Sequence, residues 1–566
     1  PDDPLALPET VLPKGGIYDF TEYSLTSMDL RATVTYNADL GRNGDHILNL
    51  FAGSELNSTD RQQKWFRGWG YQYSNGGIPF VDYRLFKQSQ EEGTDYYSNS
   101  FQYLRNLAYF GMATYSYKGR YTINGTLRYE GSNMLGKSRQ ARWLPTWNVS
   151  GSWNAHEENW WAPTFGKAWT YASLKGSYSL TADRGPASNS LAVFTSFTPW
   201  RPSTSANESA IILAALENSE LTYEKKHELN IGVALGFVDN RINVEFDWYR
   251  RNNFDLIGYT QTMGVGGVTT KLANDATMES TGCEFTISTT NIKTKDFKWT
   301  TDWIFGWAEN TITKLDSRSQ VYSLVNGVGR TEGRPIGALY SIPFAGLTEE
   351  GLPTFYIDAE HTQVVGPGNY ADIYFQEYEN IDYLKYEGTI DPKITGSFGN
   401  TFSWKGLKLN VFFTYSFGNV LRLDNLCPVY SSDYSDLTAS MKEMKNRWMV
   451  PGDENITTIP SIPTVRQMRE IDALNNAYSA YNYSTERVAK GDFIRLKELS
   501  LAYDLPKKYF EGQNAVSSFG VKLSATNLWL AYADKKLNGR DPEYYNTGGV
   551  SSPVPRQFTL TVKLGF

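Results

Sequence analysis

The chain closes on Gln557-Phe558-Thr559-Leu560-Thr561-Val562-Lys563-Leu564-Gly565-Phe566. Phe558, Leu560, Val562, Leu564 and Phe566 fall on one side; Gln557, Thr559, Thr561, Lys563 and Gly565 fall on the other. Period-two alternation is a strand signal, and it makes one face wholly apolar and the other polar or bare. The stretch is about as long as a tilted strand that crosses a bilayer, roughly 9–11 residues. A half-buried strand of a soluble sandwich alternates equally well, so this stretch alone leaves both architectures open.

The 566 residues contain no run approaching the roughly 18 apolar residues that a spanning helix requires. Yet 15% of them are aromatic, with 38 Tyr, 29 Phe and 16 Trp, while 20% are charged. A membrane barrel hides its apolar face by alternation, which reconciles a polar average with aromatic richness. The net charge of −7 argues against a nucleic-acid or anionic-surface binder. The two cysteines, Cys283 and Cys427, are far apart and read as free thiols. Pro1-Asp2-Asp3-Pro4 carries no signal peptide and reads as a start within a longer sequence.

Alternation and turn chemistry give about fifteen strands. They lie near 27–39 and 44–53; 107–117 and 120–130; 140–155 and 169–180; 226–235 and 241–249; 281–290 and 298–309; 394–402 and 407–417; 493–505 and 519–530; and the terminal stretch. Leu407, Leu409, Val411, Phe413, Tyr415 and Phe417 form the clearest apolar stripe. Tight connections such as Lys118-Gly119 alternate with long ones, about 54–106, 183–223, 311–393, 419–491 and 532–555. Brief turns on one side and long loops on the other are the asymmetry of an outer-membrane barrel, with the long loops extracellular. The segment 131–139 departs from it, being shorter than the inside connection that follows. The fold expected is all-β, a transmembrane antiparallel barrel. An open sheet would leave edge amides and carbonyls unpaired in hydrocarbon, and the odd strand count calls for an outward strand before the first. The chain is therefore expected to be part of a barrel.

The residues themselves resemble the carboxy-terminal part of SusC/RagA-type TonB-dependent transporters of Bacteroidota. The resemblance rests on Leu174-Lys175-Gly176-Ser177-Tyr178-Ser179, on Tyr223-Glu224 through Phe254-Asp255-Leu256, and on Glu279-Ser280-Thr281-Gly282-Cys283-Glu284. Leu180 to Arg184, Thr281 and Cys283 depart from the family pattern. It continues with Gly333-Arg334-Pro335-Ile336-Gly337, Ala345-Gly346-Leu347, Gly351-Leu352-Pro353 and Asp391-Pro392-Lys393. The most specific stretches are Arg447-Trp448-Met449-Val450-Pro451-Gly452-Asp453 and Gly491-Asp492-Phe493-Ile494-Arg495-Leu496-Lys497. Asn527-Leu528, Gly539-Arg540-Asp541-Pro542-Glu543 and Pro555-Arg556 complete the set.

That resemblance implies a barrel of about 22 strands, of which these are the last two-thirds. It also implies an amino-terminal plug, early strands and a TonB-interacting segment, none of which is in this chain; either the transporter is cleaved or this is a portion of it. The implied location is the outer membrane of a Gram-negative bacterium, in contact with lipid and lipopolysaccharide. Implied partners are the plug and early strands, a SusD-like surface lipoprotein and TonB–ExbB–ExbD. The implied activity is energised import of a nutrient, an oligosaccharide by preference and a peptide as the alternative. A non-energised structural or adhesive barrel is the second reading, and a secreted soluble β-protein that binds or cleaves sugars is the third. Phe566, an aromatic last residue, is the membrane-insertion signal that such barrels carry.

No enzyme signature stands out. His46, His156, His227 and His361 lack metal-ligand spacing, and neither a Walker loop nor a Gly-x-Ser-x-Gly elbow occurs. No cofactor is expected; loop carboxylates such as Glu349/Glu350 and Asp453/Glu454 offer Ca²⁺ oxygen ligands, without an EF-hand pattern. Trp160, Trp161, Trp404 and Tyr503 are candidate interface anchors. Trp65, Trp69, Tyr71, Tyr478 and Tyr481, placed in long loops, are candidates for stacking on sugar rings, against the alternative of packing within the loops or on a partner. Arg495 and Lys497 alternate on one face and are candidates for the lumen and the plug.

Overall fold

A computed structural model describes residues 15–41, 44–77, 95–166, 168–186, 190–197, 210–265, 267–426, 442–506, 509, 516–545 and 555–566. One antiparallel sheet of fifteen strands dominates it, each strand pairing with its neighbours in chain order. The strands are β1 Gly16–Leu40, β2 His46–Tyr71, β3 Tyr97–Tyr117, β4 Tyr121–Ser132, β5 Trp143–Asn154, β6 Trp169–Asp183, β7 Glu224–Phe237 and β8 Ile242–Gln261. They continue as β9 Thr270–Lys293, β10 Phe297–Leu315, β11 Ile394–Trp404, β12 Leu407–Phe417, β13 Phe493–Asp504, β14 Ser518–Ala533 and β15 Gln557–Gly565. Within this chain the sheet is open, with β1 and β15 at its two edges. No helix is long and apolar enough to cross a membrane among the described residues.

Register carries the alternation from strand to strand. Leu409 lies opposite Phe402 and Leu501, and Leu523 opposite both Leu501 and Leu560, so one apolar face runs unbroken across the neighbours. Val34 is 72% exposed, Ile123 61% and Leu560 66%. So much contiguous apolar surface has no place in water and matches the lipid-facing band of a membrane barrel. The other face carries Asn124, Ser150, Ser177, Asn230, Glu284, Asp302, Lys408 and Lys522, as a hydrated interior requires.

Tight turns sit at one rim. Lys118 and Gly119 adopt φ of 51° and 68°, and Lys405 and Gly406 46° and 91°. Two consecutive left-handed residues are the hairpin geometry whose twist matches the flanking strands. A Cβ on Gly406 would also meet the Asp504 carbonyl oxygen at 2.5 Å. Trp404 and Tyr503 are exposed at this rim, as interface anchors should be. Trp160 is exposed too, but Trp161 is not: it is buried against Phe165 and Trp169, and its Nε1 donates to the Trp169 carbonyl at 2.9 Å. The β5–β6 connection thus carries a small apolar core of its own.

The opposite rim differs from expectation. The strands there run far past a bilayer's needs, with 25 residues in β1, 26 in β2 and 24 in β9. Stretches assigned to the loop 54–106 are therefore largely strand, as β2 ends only at Tyr71 and β3 begins at Tyr97. The largest buried core lies in the connections that follow β10 and β12. There Tyr370, Phe355, Leu352 and Ile342 pack with Tyr478, Tyr481 and Ala477. This core contains the helices α1 Val321–Val325, α2 Val465–Glu470 and α3 Leu474–Asn482. Cys283 lies in β9 as a free thiol; Cys427 is outside the described residues.

Candidate functional site

The long-loop rim of the polar face holds the densest set of side chains fit for recognition. Trp65, Arg67 and Trp69 are spaced two apart on β2 and share that face, whereas a bulge at Gly70 turns Tyr71 to the other face. Arg67 sits between the indoles with its guanidinium 5.3 Å from the Trp65 ring centre. It also clasps Asp19 of β1 through Nε–Oδ1 at 2.7 Å and Nη2–Oδ2 at 2.9 Å. Those bonds hold the Asp19 carboxyl below its ordinary range. Tyr71 stacks on Tyr18 with ring centres 4.7 Å apart. Two of the five aromatic candidates, Trp65 and Trp69, thus come together, on a strand rather than in a loop, while Tyr71 packs with Tyr18 on the opposite face. A flat aromatic row with a fixed guanidinium is a surface for ring faces edged by polar groups.

Tyr478 and Tyr481 do not join them. Both lie on α3, 3% and 1% exposed, inside the loop core. The Tyr478 hydroxyl donates to the Ser461 carbonyl at 2.7 Å, and Tyr481 meets Phe344 edge-on. Leu474, Ala477, Tyr478 and Tyr481 follow helical spacing and form the buried stripe of an amphipathic helix. Their role as stacking platforms is withdrawn for that reason. The short helix within a long connection was the signal missed.

Arg495 and Lys497 are separated by a bulge. Phe413 faces Leu496 and Phe412 faces Glu498, leaving Lys497 as the extra residue. Arg495 therefore lies on the polar face opposite Thr414, and Lys497 does not share its register. The Arg495 side chain is 4% exposed and is ion-paired with Asp541 and with Glu543 at 3.2 Å. Lys497 approaches Glu543 at 3.9 Å. Both cations are engaged by the connection that follows β14. Phe566, just past β15, is 89% exposed.

The roof above this rim is cross-linked. Arg487 pairs with Glu443 at 2.6 Å, and Arg540 with Asp424. Arg422 donates to the carbonyls of Ser484 at 2.9 Å, Val325 at 3.2 Å and Tyr340, joining two connections. Burial lowers the Arg422 pKa to about 10. Among the described residues no group of three or more His, Cys, Asp or Glu side chains is placed to hold a metal ion.

No family model matches the chain. TonB-dependent receptor P3 of Formosa agariphila is 25% identical to it, over 99% of this chain and 54% of that protein. TonB-dependent receptor SusC of Bacteroides thetaiotaomicron is 28% identical over 37% of this chain and 21% of that protein. A solved structure of the RagAB peptide transporter superposes with a TM-score of 0.75 at 20% identity, covering 97% of this chain and 56% of that one. The chain spans about half the length of the curated receptors it matches along most of its length.

Proposed function

We propose that this chain, which resembles the carboxy-terminal barrel portion of SusC/RagA-type TonB-dependent transporters, forms the larger part of the wall of an outer-membrane importer. Its similarity to TonB-dependent receptors along nearly its whole length supports that reading, as do the apolar outer face and the polar inner face. Further strands from the same transporter would pair with the open edges, since unpaired amides are not tolerated in hydrocarbon. A plug would fill the polar interior, and TonB–ExbB–ExbD would act on it. A SusD-like lipoprotein would close over the cross-linked roof. The chain would perform no bond chemistry; its work is wall, vestibule and docking surface.

The cargo we favour is an oligosaccharide, and the observation that carries this is the Trp65–Arg67–Trp69 row. Aromatic faces suit sugar rings, and a guanidinium held by Asp19 adds directed donors at little entropic cost. A peptide is the alternative cargo. Mass spectrometry of the detergent-purified complex, identifying each polypeptide and its termini, tests the assembly. Plug sequence and a lipoprotein are the expected companions. A chain that purifies alone and monodisperse, with neither, would sink the importer reading. Uptake of labelled oligosaccharides and peptides by cells carrying or lacking the gene then separates the cargo classes.

A further inference from the structure

Deeper along the inner face than the β2 row, the outer ends of β3–β6 enclose a second cleft. Asn106, Arg128, Glu130, Asp183, Arg184 and Tyr223 line it. Asn106 lies opposite Asn57 of β2, about 26 Å of strand below Trp65. The floor is firm: Tyr223 is 5% exposed and packs with Leu135, Leu221 and Ile257. Thr222 beside it is held by the Asn274 side chain at 3.1 Å in both directions and by the Ala141 carbonyl.

Two polar atoms of this cleft have no hydrogen-bond partner among the described residues, the Tyr223 hydroxyl and Asn106 Oδ1. Buried polar groups in proteins are seldom left so, because each costs its full desolvation. Burial and the nearby Glu130 raise the Tyr223 pKa, so the hydroxyl stays protonated and able to donate. Arg184 makes no ion pair among the described residues. Arg128 is engaged by Glu130 at 2.6 Å and Glu55 at 3.6 Å. In the lining, Glu130 and Asp183 balance Arg128 and Arg184, and Glu55 outside it draws further on Arg128. An anionic group would meet no surplus positive charge here, whereas a hydroxyl both gives and takes hydrogen bonds and suits this mixture of donors and acceptors.

We propose that this cleft is a subsite for a neutral, hydroxyl-bearing sugar ring, set inward of the aromatic row. The inference rests on the oligosaccharide reading and narrows it to uncharged sugars. A cargo reaching from the row to the cleft spans several residues, so longer oligomers bind better than short ones.

The test is calorimetric titration of the intact detergent-purified complex, as wild type and as Tyr223→Phe and Arg184→Ala. The probes are hexaoses of glucose (α- and β-linked), xylose and mannose, set against oligogalacturonate and sulfated galactan oligomers. A neutral hexaose is expected to bind at least tenfold more tightly than either acidic series. Tyr223→Phe should weaken it about three- to tenfold, while leaving the melting temperature unchanged or raised, because an unpaired buried hydroxyl has been removed. A purely structural tyrosine would move stability and not affinity. Neutral binding that both variants leave intact would overturn the subsite while the oligosaccharide reading stood. Preference for the acidic probes would overturn the subsite alone. Binding of peptides and of no oligosaccharide would overturn both.

Discussion

Single side chains at the roof carry more than their share of order. Arg422 satisfies three carbonyls from two connections with one guanidinium, in a place where water does not compete. Arg422→Ala leaves those carbonyls unpaired around a cavity and should cost about 3–5 kcal/mol, as other losses of a buried charged anchor do. Limited proteolysis checks this, with faster cleavage between residues 316 and 492 and an unchanged strand core. Asp358 gives a pH handle. Its carboxylate accepts from the Thr362 amide and hydroxyl and from the Gln363 amide, which lowers its pKa. A lowered folded-state pKa means stability that is present above the ordinary aspartate value and lost as pH falls through the folded one. Hydrogen exchange at residues 358–363 should therefore be independent of this group above pH ~4 and gain an extra acceleration below it. At this scale Trp65 and Trp69 were legible as neighbours at the long-loop rim, whereas the turn of Tyr71 to the other face and the burial of Tyr478 and Tyr481 were not. An aromatic in a polar stretch looks the same in sequence whether it points out or in.

Strands were the most legible elements. Leu407–Phe417 is bounded in the fold as its apolar stripe suggests, because lipid on one side and water on the other enforce alternation. Beyond the bilayer that constraint ends. The extensions of β1, β2, β8 and β9 are amphiphilic on neither face, and pattern reading loses them. The bulge at Lys497 escaped for a related reason, since a period-two reading assumes that no residue is inserted. Leu409 belongs to the part where lipid decides. Placed on the outer face opposite Phe402 and Leu501 and close to the rim anchors Trp404 and Tyr503, Leu409→Arg should cost about 1 kcal/mol, less than the same change at the midplane. Urea titration of refolding into vesicles measures the loss. Lys408→Arg, one residue earlier and facing the interior, should be nearly neutral in the same assay.

Over the whole molecule, the wall and the core are different objects. The sheet is held by ladder hydrogen bonds and by lipid, while the apolar core that a soluble protein would place at its centre sits above the rim, around Tyr370 and Tyr481. Heating the intact complex should therefore give two transitions. Tyr478→Ala, which deletes a buried aromatic at about 3–5 kcal/mol, should lower only the first. Circular dichroism would report the strand signal and near-ultraviolet intensity the roof; a single transition shifted as one would contradict the division.

That division also bears on descent. Parts that fold on separate accounts are free to diverge at separate rates, so a lineage is able to inherit its wall nearly unchanged while trading one roof for another.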